Sequence, residues 1–273
     1  MKEATKTKRF ISEEEEKFGT EFAKYGRVIC EVADYEALNT IKEFIIQACR
    51  EYIGPEKCVA GDLLNDTHEF VSVNQLNNFR LRIIEKINSN SDIRLCYFRL
   101  AKPYLDIIVG NELAMQARLN LSIQMPGDNS SLLPVHADVW SGDSPYEVVV
   151  WLPLVNCSGT KSMFLLPPNQ TNQALQRPDG INSDSSEQLF KLISKEVEWI
   201  DINYGQVMLF NQNLPHGNRI NTTKETRWSI NCRFKALFSP YGDKRLGEFF
   251  VPITVKPASR IGLNYRYPKM QDE

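Results

Sequence analysis

His136-Ala137-Asp138, followed much later by Pro215-His216-Gly217, restricts how this chain can fold more than any other feature, and it uses two of only three histidines. On a strand, residues two apart leave the same face, so His136 and Asp138 can grip one ion together. A third ligand at His216 must then arrive from a neighbouring strand, and the intervening chain is long enough to build several strands of a barrel. Two imidazoles and one carboxylate can hold a six-coordinate ferrous ion on a single face and leave three positions open. Alone, the His-x-Asp pair says little, because an isolated histidine is more often structural than ligating.

Eleven residues beyond His216 comes Arg227-Trp228-Ser229. The run from Arg227 to Phe234 alternates, projecting Arg227, Ser229, Asn231 and Arg233 to one side and Trp228, Ile230, Cys232 and Phe234 to the other. A guanidinium and a hydroxyl on one face make a receptor for a carboxylate: the arginine binds bidentately and the serine adds a third hydrogen bond. A metal triad with this anchor downstream suits a dicarboxylate that chelates the metal through its other end. Arg233, on the same strand face, and Arg219, in the Gly- and Asn-rich turn after His216, are alternative anchors; Arg227 has the spacing and the serine partner.

With these motifs the chain resembles the iron(II)/2-oxoglutarate-dependent oxygenases, especially the phytanoyl-CoA-hydroxylase-like branch. Leu133–Pro168 and Tyr204–Tyr241 are most similar to the oxygenases scattered through bacterial carbohydrate-biosynthesis clusters, and the resemblance spans residues 95–240. It implies that His136, Asp138 and His216 ligate Fe(II), and that Arg227 with Ser229 binds the distal carboxylate of 2-oxoglutarate. The implied reaction hydroxylates a carbohydrate or sugar-containing biosynthetic intermediate, consuming O₂ and releasing succinate and CO₂. Relatives that halogenate have Ala or Gly where this chain has Asp138, so hydroxylation is favoured, while desaturation and epimerisation share the same motifs. A cupin-type metal-dependent sugar isomerase or epimerase, or a non-catalytic sugar-binding jelly roll, stays open beside it; neither needs 2-oxoglutarate.

Composition narrows the partners. A formal charge of −2 gives no global attraction to nucleic acid or an anionic membrane. No apolar run is long enough for a membrane span, and the segment from Met1 to Lys6 lacks the apolar core of a secretory signal. Six scattered cysteines without C-x-x-C read as free thiols. Together these point to a reducing cytoplasm, an environment that suits a ferrous enzyme, with a homodimer left open.

The expected fold class is α+β: a double-stranded β-helix (jelly roll, cupin-like) core with N-terminal helices packed on one sheet. Residues 1–110 form the mainly helical region, with a frayed basic start at 1–9, 111–240 the catalytic core, and 241–273 an extended tail. Ser12 to Glu15 reads as a capping box, Gly26–Val32 as a strand, and Asp34 as the cap of an amphipathic helix, Tyr35–Tyr52. Gly54–Phe70 is expected as a loop, and Asn74–Ile87 and Asp92–Ile108 as helices. The strand runs are Met115–Met125, Glu147–Leu154, Lys161–Leu166, Gln206–Phe210 and Arg227–Phe238. In the first of these, Asn120 and Gln124 share the polar side, which faces the site if the apolar side packs against the helices; both are then candidates for 2-oxoglutarate or water contacts, with plain solvent exposure as the alternative. Gln173–Glu187 is expected as an inserted loop able to act as a lid, with a helix following at Ser186–Lys195. His68 reads as a surface-loop histidine, Trp140 as core filler or a wall of the substrate pocket, and Trp151 as core.

Overall fold

The computed structural model describes residues 10–54, 62–176 and 185–268. The expected frayed start at 1–9 lies outside them, as do residues 177–184 of the expected lid. Ser12 and Glu15 exchange backbone-to-side-chain hydrogen bonds at 2.7 and 3.1 Å, opening α1 (Glu13–Tyr25) with the expected capping box. Gly26, in the left-handed region at φ 67, ends it and turns the chain into β1 (Arg27–Glu31). The carboxylate of Asp34 accepts from the Ala37 N–H to start α2 (Tyr35–Ile53). A single turn, α3 (Thr67–Phe70), precedes α4 (Val73–Ser89) and α5 (Ser91–Ile108).

The rest is mainly strand: β2 (Leu113–Gln116), β3 (Asn120–Gln124), β4 (Glu147–Pro153) and β5 (Phe164–Leu165) come first. Two short helices follow, α6 (Pro168–Gln176) and α7 (Ser186–Ile193). Then come β6 (Glu198–Trp199), β7 (Gln206–Asn211), β8 (His216–Gly217), β9 (Arg227–Ala236) and β10 (Phe250–Thr254), and last α8 (Pro257–Asn264). A large antiparallel sheet runs β1-β7-β4-β9-β2-β10, with β3 also paired to β9, and a small one runs β6-β5-β8. Helices and antiparallel sheets thus make a mixed fold. No described helix is long and apolar enough to cross a membrane.

One continuous apolar core joins the helices to the large sheet. The stripes Leu38, Ile41 and Ile45 of α2, Phe79 and Ile83 of α4, and Tyr97 and Leu100 of α5 are buried in it. Trp228, Ile230, Cys232 and Phe234 of β9 are all fully buried in the same core. Two polar bonds fix the register of helices on sheet: Tyr97 donates to the Val150 carbonyl at 2.7 Å, and the Trp228 ring N–H donates to Thr67 Oγ1 at 3.0 Å. With that face of β9 inside, its polar face has to look the other way.

Several expectations are corrected. Met115–Met125 is not one strand but two, because between the Met115–Phe234 and Asn120–Asn231 pairs four residues, 116–119, face only two of β9, Cys232 and Arg233. The surplus leaves the ladder as a bend at 117–119, where Ala117 donates its N–H to Phe249 instead. The first residues of Lys161–Leu166 close a 3₁₀ turn, Gly159–Lys161, so only Phe164–Leu165 is strand. Residues 173–176 of the expected loop complete α6. The start of Gly54–Phe70 lies partly outside the described residues, and its end is α3. Beyond residue 240 the chain is not merely extended: β10 pairs with β2, and α8 follows. β1 comes before most of the helices yet forms an edge of the large sheet through β7.

Candidate metal centre and cavity

The segment around His136 lies antiparallel to β8, and His136 and His216 stand directly opposite one another. Each donates its backbone N–H to the other's carbonyl, at 3.0 and 2.8 Å. Opposed residues of an antiparallel pair project to one face, and the two ring centroids are 4.3 Å apart. Each Nδ1 sits 2.8 Å from a backbone carbonyl two residues earlier, Pro134 for His136 and Leu214 for His216. A carbonyl only accepts, so each Nδ1 carries the proton and each Nε2 lone pair is left for a metal.

Asp138 does not share a strand with His136, which corrects the same-face expectation. The bridge ends at the His136–His216 pair, and the Asp138 N–H finds the Gln212 carbonyl at 3.1 Å instead. Asp138 then opens a 3₁₀ turn, Asp138–Ser141, which ends at Gly142 in the left-handed region (φ 86). The turn still delivers the carboxylate: Oδ1 lies 3.5 Å from His136 Nε2, and Oδ2 accepts from Arg233 Nη2 at 2.8 Å. One ligating atom from each of His136, Asp138 and His216 lies within 4.8 Å of the others. A single ion with bonds of about 2.1 Å can draw such a set together.

Electrostatics ready the set for a cation. Burial works against ionising Asp138, but the His136 hydrogen bond and the Arg233 charge outweigh it and hold the carboxyl at about 2. Enclosure of His216 lowers it to about 4, so its ring is neutral. Burial also pulls on His136, yet the bonds to Asp138 and the Pro134 carbonyl leave it raised. Once His136 has lost its proton, two imidazoles and one carboxylate, without thiolate, suit Fe(II) among divalent metals.

A cavity of about 400 Å³ opens beside the triad. The polar face of β9, namely Arg227, Ser229, Asn231 and Arg233, forms one wall, and Asn120 and Ser122 of β3 adjoin it. Arg227 is buried; its Nη2 donates to Ser122 Oγ at 2.8 Å and its Nη1 to the Ser162 carbonyl at 3.2 Å. Burial lowers it to about 10, which leaves it cationic at neutral pH. Arg227 Nε and Ser229 Oγ are buried without a hydrogen-bond partner among the described residues. Orphaned buried polar atoms cost about 1–3 kcal/mol each, and a bound carboxylate would satisfy donors of this kind. The donor set fits Fe(II), and the orphaned pair fits the carboxylate end of 2-oxoglutarate.

The other candidates divide. Asn120 lines the cavity and donates to Asn231 Oδ1 at 3.0 Å. Gln124 is fully buried outside the cavity lining and gives its amide N–H to the Arg219 carbonyl. Arg219 is held away by a two-pronged pair with Glu187, at 2.6 and 3.2 Å, and lies over the Phe190 ring. Arg233 is committed to Asp138 and to Gln212 Oε1 at 3.0 Å. Trp140 is 42% exposed, so it is not core, and it does not line this cavity. Trp151 is buried as expected and also lines the cavity. His68 sits in α3 with Nδ1 3.0 Å from Thr226 Oγ1, far in sequence from either ligand stretch.

Neither a family model nor a curated protein matches the chain. Solved structures do. EctD from S. alaskensis, solved with 2-oxoglutarate and 5-hydroxyectoine, is 16% identical, with 85% of this chain and 78% of that one covered at a TM-score of 0.53. HygX from Streptomyces hygroscopicus, solved with nickel and 2-oxoglutarate, is 12% identical over 86% and 90% of the two chains, at 0.50. EvdMO1 is 14% identical over 81% of this chain and 50% of that one, at 0.54. What is shared is the fold.

Sequence reasoning missed three features of this site. Ser122 was visible in the alternation of β3, but its bond to Arg227 depends on strand pairing. Gln212, which orients Arg233 and binds the Asp138 N–H through its carbonyl, carries no motif. Arg80 enters the cavity lining from α4, a helix in which the sequence pattern singles out no site residue.

Proposed function

We propose that this chain is a non-haem Fe(II)/2-oxoglutarate-dependent dioxygenase that hydroxylates a carbohydrate or sugar-containing biosynthetic intermediate. The observation that carries the reading is one cavity lined by the His136–Asp138–His216 cluster and by the unsatisfied Arg227 and Ser229 donors. The two sheets are read as a double-stranded β-helix centred on 111–240, which β1 and β10 extend, with the N-terminal helices packed against the large sheet. The reading draws on the resemblance of His136, Asp138, His216, Arg227 and Ser229, in type and order, to the phytanoyl-CoA-hydroxylase-like branch. EctD and HygX, which share the fold, were each solved with 2-oxoglutarate, and HygX also with nickel.

Fe(II) and 2-oxoglutarate would supply the oxidative chemistry with O₂, yielding succinate and CO₂. The protein's own work is positional. His136 and His216 present Nε2 because their Nδ1 protons are held by carbonyls. Asp138 keeps one oxygen on Arg233, which leaves the other for the metal. Arg227 and Ser229 hold the distal carboxylate of the co-substrate, and Asn120 stands on the adjoining strand. Placement matters here because a misplacement of ~1 Å can cost on the order of a hundredfold in rate. Trp151, Val149 and Phe210 keep part of the cavity apolar, which limits water around the reacting carbon. A reducing cytoplasm suits the ferrous state.

The test is turnover. Purified protein with Fe(II), ascorbate and 2-oxoglutarate is expected to release succinate, faster when the right member of a sugar and sugar-conjugate panel is present. No succinate above a metal-free control, across the whole panel, would remove the proposal.

A further inference from the structure

Arg80 belongs to none of the roles above. It projects from α4 into the cavity lining, partly exposed, and its Nη2 donates to Asn77 Oδ1 at 2.9 Å one turn back. Among the described residues it makes no ion pair.

The other charges of the cavity have counterparts. Three guanidiniums line it, Arg80, Arg227 and Arg233, against one carboxylate, Asp138. Asp143, just behind, lies 3.5 Å from Arg233 and offsets it. On the oxygenase reading, on which this inference rests, a divalent metal is balanced by Asp138 and by the keto-acid end of the co-substrate. Arg227 is balanced by the co-substrate's distal carboxylate. Arg80 alone is left over. The same cavity has a polar, preset stretch: the buried Asp128 carboxylate accepts the Ser130 N–H and hydroxyl at 2.8 and 2.7 Å, shaping the loop that brings Ser130 and Ser131 to its lining.

We propose that the substrate carries an anionic group, a carboxylate or a phosphate, and that Arg80 receives it at the rim and thereby sets which carbon faces the metal. A guanidinium fork matches both groups with two parallel hydrogen bonds. A partly enclosed position weakens salt screening of that contact. A neutral sugar offers Arg80 no charge, and its fork would remain hydrated.

Calorimetry on protein loaded with Ni(II) and 2-oxoglutarate tests this with glucose 6-phosphate, glucuronate and, as neutral control, methyl glucoside. Wild type is expected to bind at least one anionic probe at least tenfold more tightly than methyl glucoside. Arg80→Ala is expected to abolish the difference and Arg80→Lys to restore part of it, while the 2-oxoglutarate affinity of both variants stays unchanged. Whichever anionic probe binds identifies the group as phosphate or carboxylate. The inference is overturned if wild type shows no preference for anions, if Arg80→Ala keeps the preference, or if Arg80→Ala loses 2-oxoglutarate affinity instead. Wild type that takes up neither Ni(II) nor 2-oxoglutarate sinks the oxygenase reading itself, a result separable from the other three.

Discussion

Arg233 and Asp138 form a 2.8 Å ion pair in the cavity wall, so one of the two carboxylate oxygens is engaged before any metal arrives. Asp138 is only 8% exposed and Arg233 17%. Removing the guanidinium strands a buried carboxylate, a change that costs about 3–5 kcal/mol where it is measured. Arg233→Ala is therefore expected to lower the urea midpoint of the metal-free protein. It should also weaken Ni(II) binding by about ten- to a hundredfold, as loss of a group behind a metal ligand does. Unchanged Ni(II) affinity in a folded Arg233→Ala protein would mean that Asp138 orients without it.

Gly217 guards the pairing of the two histidines. A Cβ there would lie 2.7 Å from the Leu133 carbonyl oxygen and 3.0 Å from that of Pro134, both backbone atoms that cannot swing aside. Gly217→Ala should push the strand carrying His136 away from His216 at a cost of about 1–3 kcal/mol. Since 1.4 kcal/mol is tenfold in affinity, Ni(II) binding is expected to weaken roughly tenfold or more while the circular dichroism spectrum stays that of wild type. Wild-type affinity in this variant would show that the backbone bridge does not set the ligand spacing.

If the proposed function holds, Arg227 serves binding rather than the stability of the empty fold. It is buried with only neutral partners, Ser122 Oγ and the Ser162 carbonyl. Replacing an uncompensated buried charge with an apolar side chain of similar length is neutral or stabilising. Arg227→Met should thus leave the metal-free melting temperature equal or higher, yet weaken 2-oxoglutarate binding by about two orders of magnitude, as loss of a charged bidentate contact implies. A large fall in melting temperature with unaltered co-substrate affinity would assign Arg227 to the fold.

Acid should compete with the metal through a single proton. Asp138 is ionised above about 2, and His216 is neutral above about 4. His136, raised above the usual histidine value, is then the one ligand that carries a proton near and below neutrality. Ni(II) affinity is expected to rise with pH, by about tenfold per unit, from above pH 4 until His136 has lost its proton, and to level off beyond. A slope near two protons, read by calorimetry in buffers of differing ionisation enthalpy, would mean that His216 is protonated as well.

Which parts of this were legible from the residues follows from what each depends on. The alternation of β9 fixes the faces of Arg227 and Trp228 locally, since strand periodicity needs no partner. The caps at Ser12 and Asp34 are equally local. Asp138 reaches His136 and His216 from a turn rather than from the expected shared strand, because that turn arises from where the pairing with β8 stops. Gln124 shares its strand face with Ser122 but lies beyond the cavity, where it meets the Arg219 carbonyl; periodicity gives a direction and not a distance. The Arg233–Asp138 pair and the entry of Arg80 both come from tertiary packing between elements far apart in the chain, which no single-segment pattern encodes.

Anaerobic addition of Fe(II) and 2-oxoglutarate, followed by visible absorption, asks most directly whether the two histidines, the aspartate and Arg227 serve one chelate. A metal-to-ligand charge-transfer band is expected to grow to one equivalent, to be absent in His136→Ala and Asp138→Ala, and to require much more 2-oxoglutarate in Arg227→Met. A wild-type protein that binds Fe(II) and shows no such band at saturating 2-oxoglutarate would contradict it.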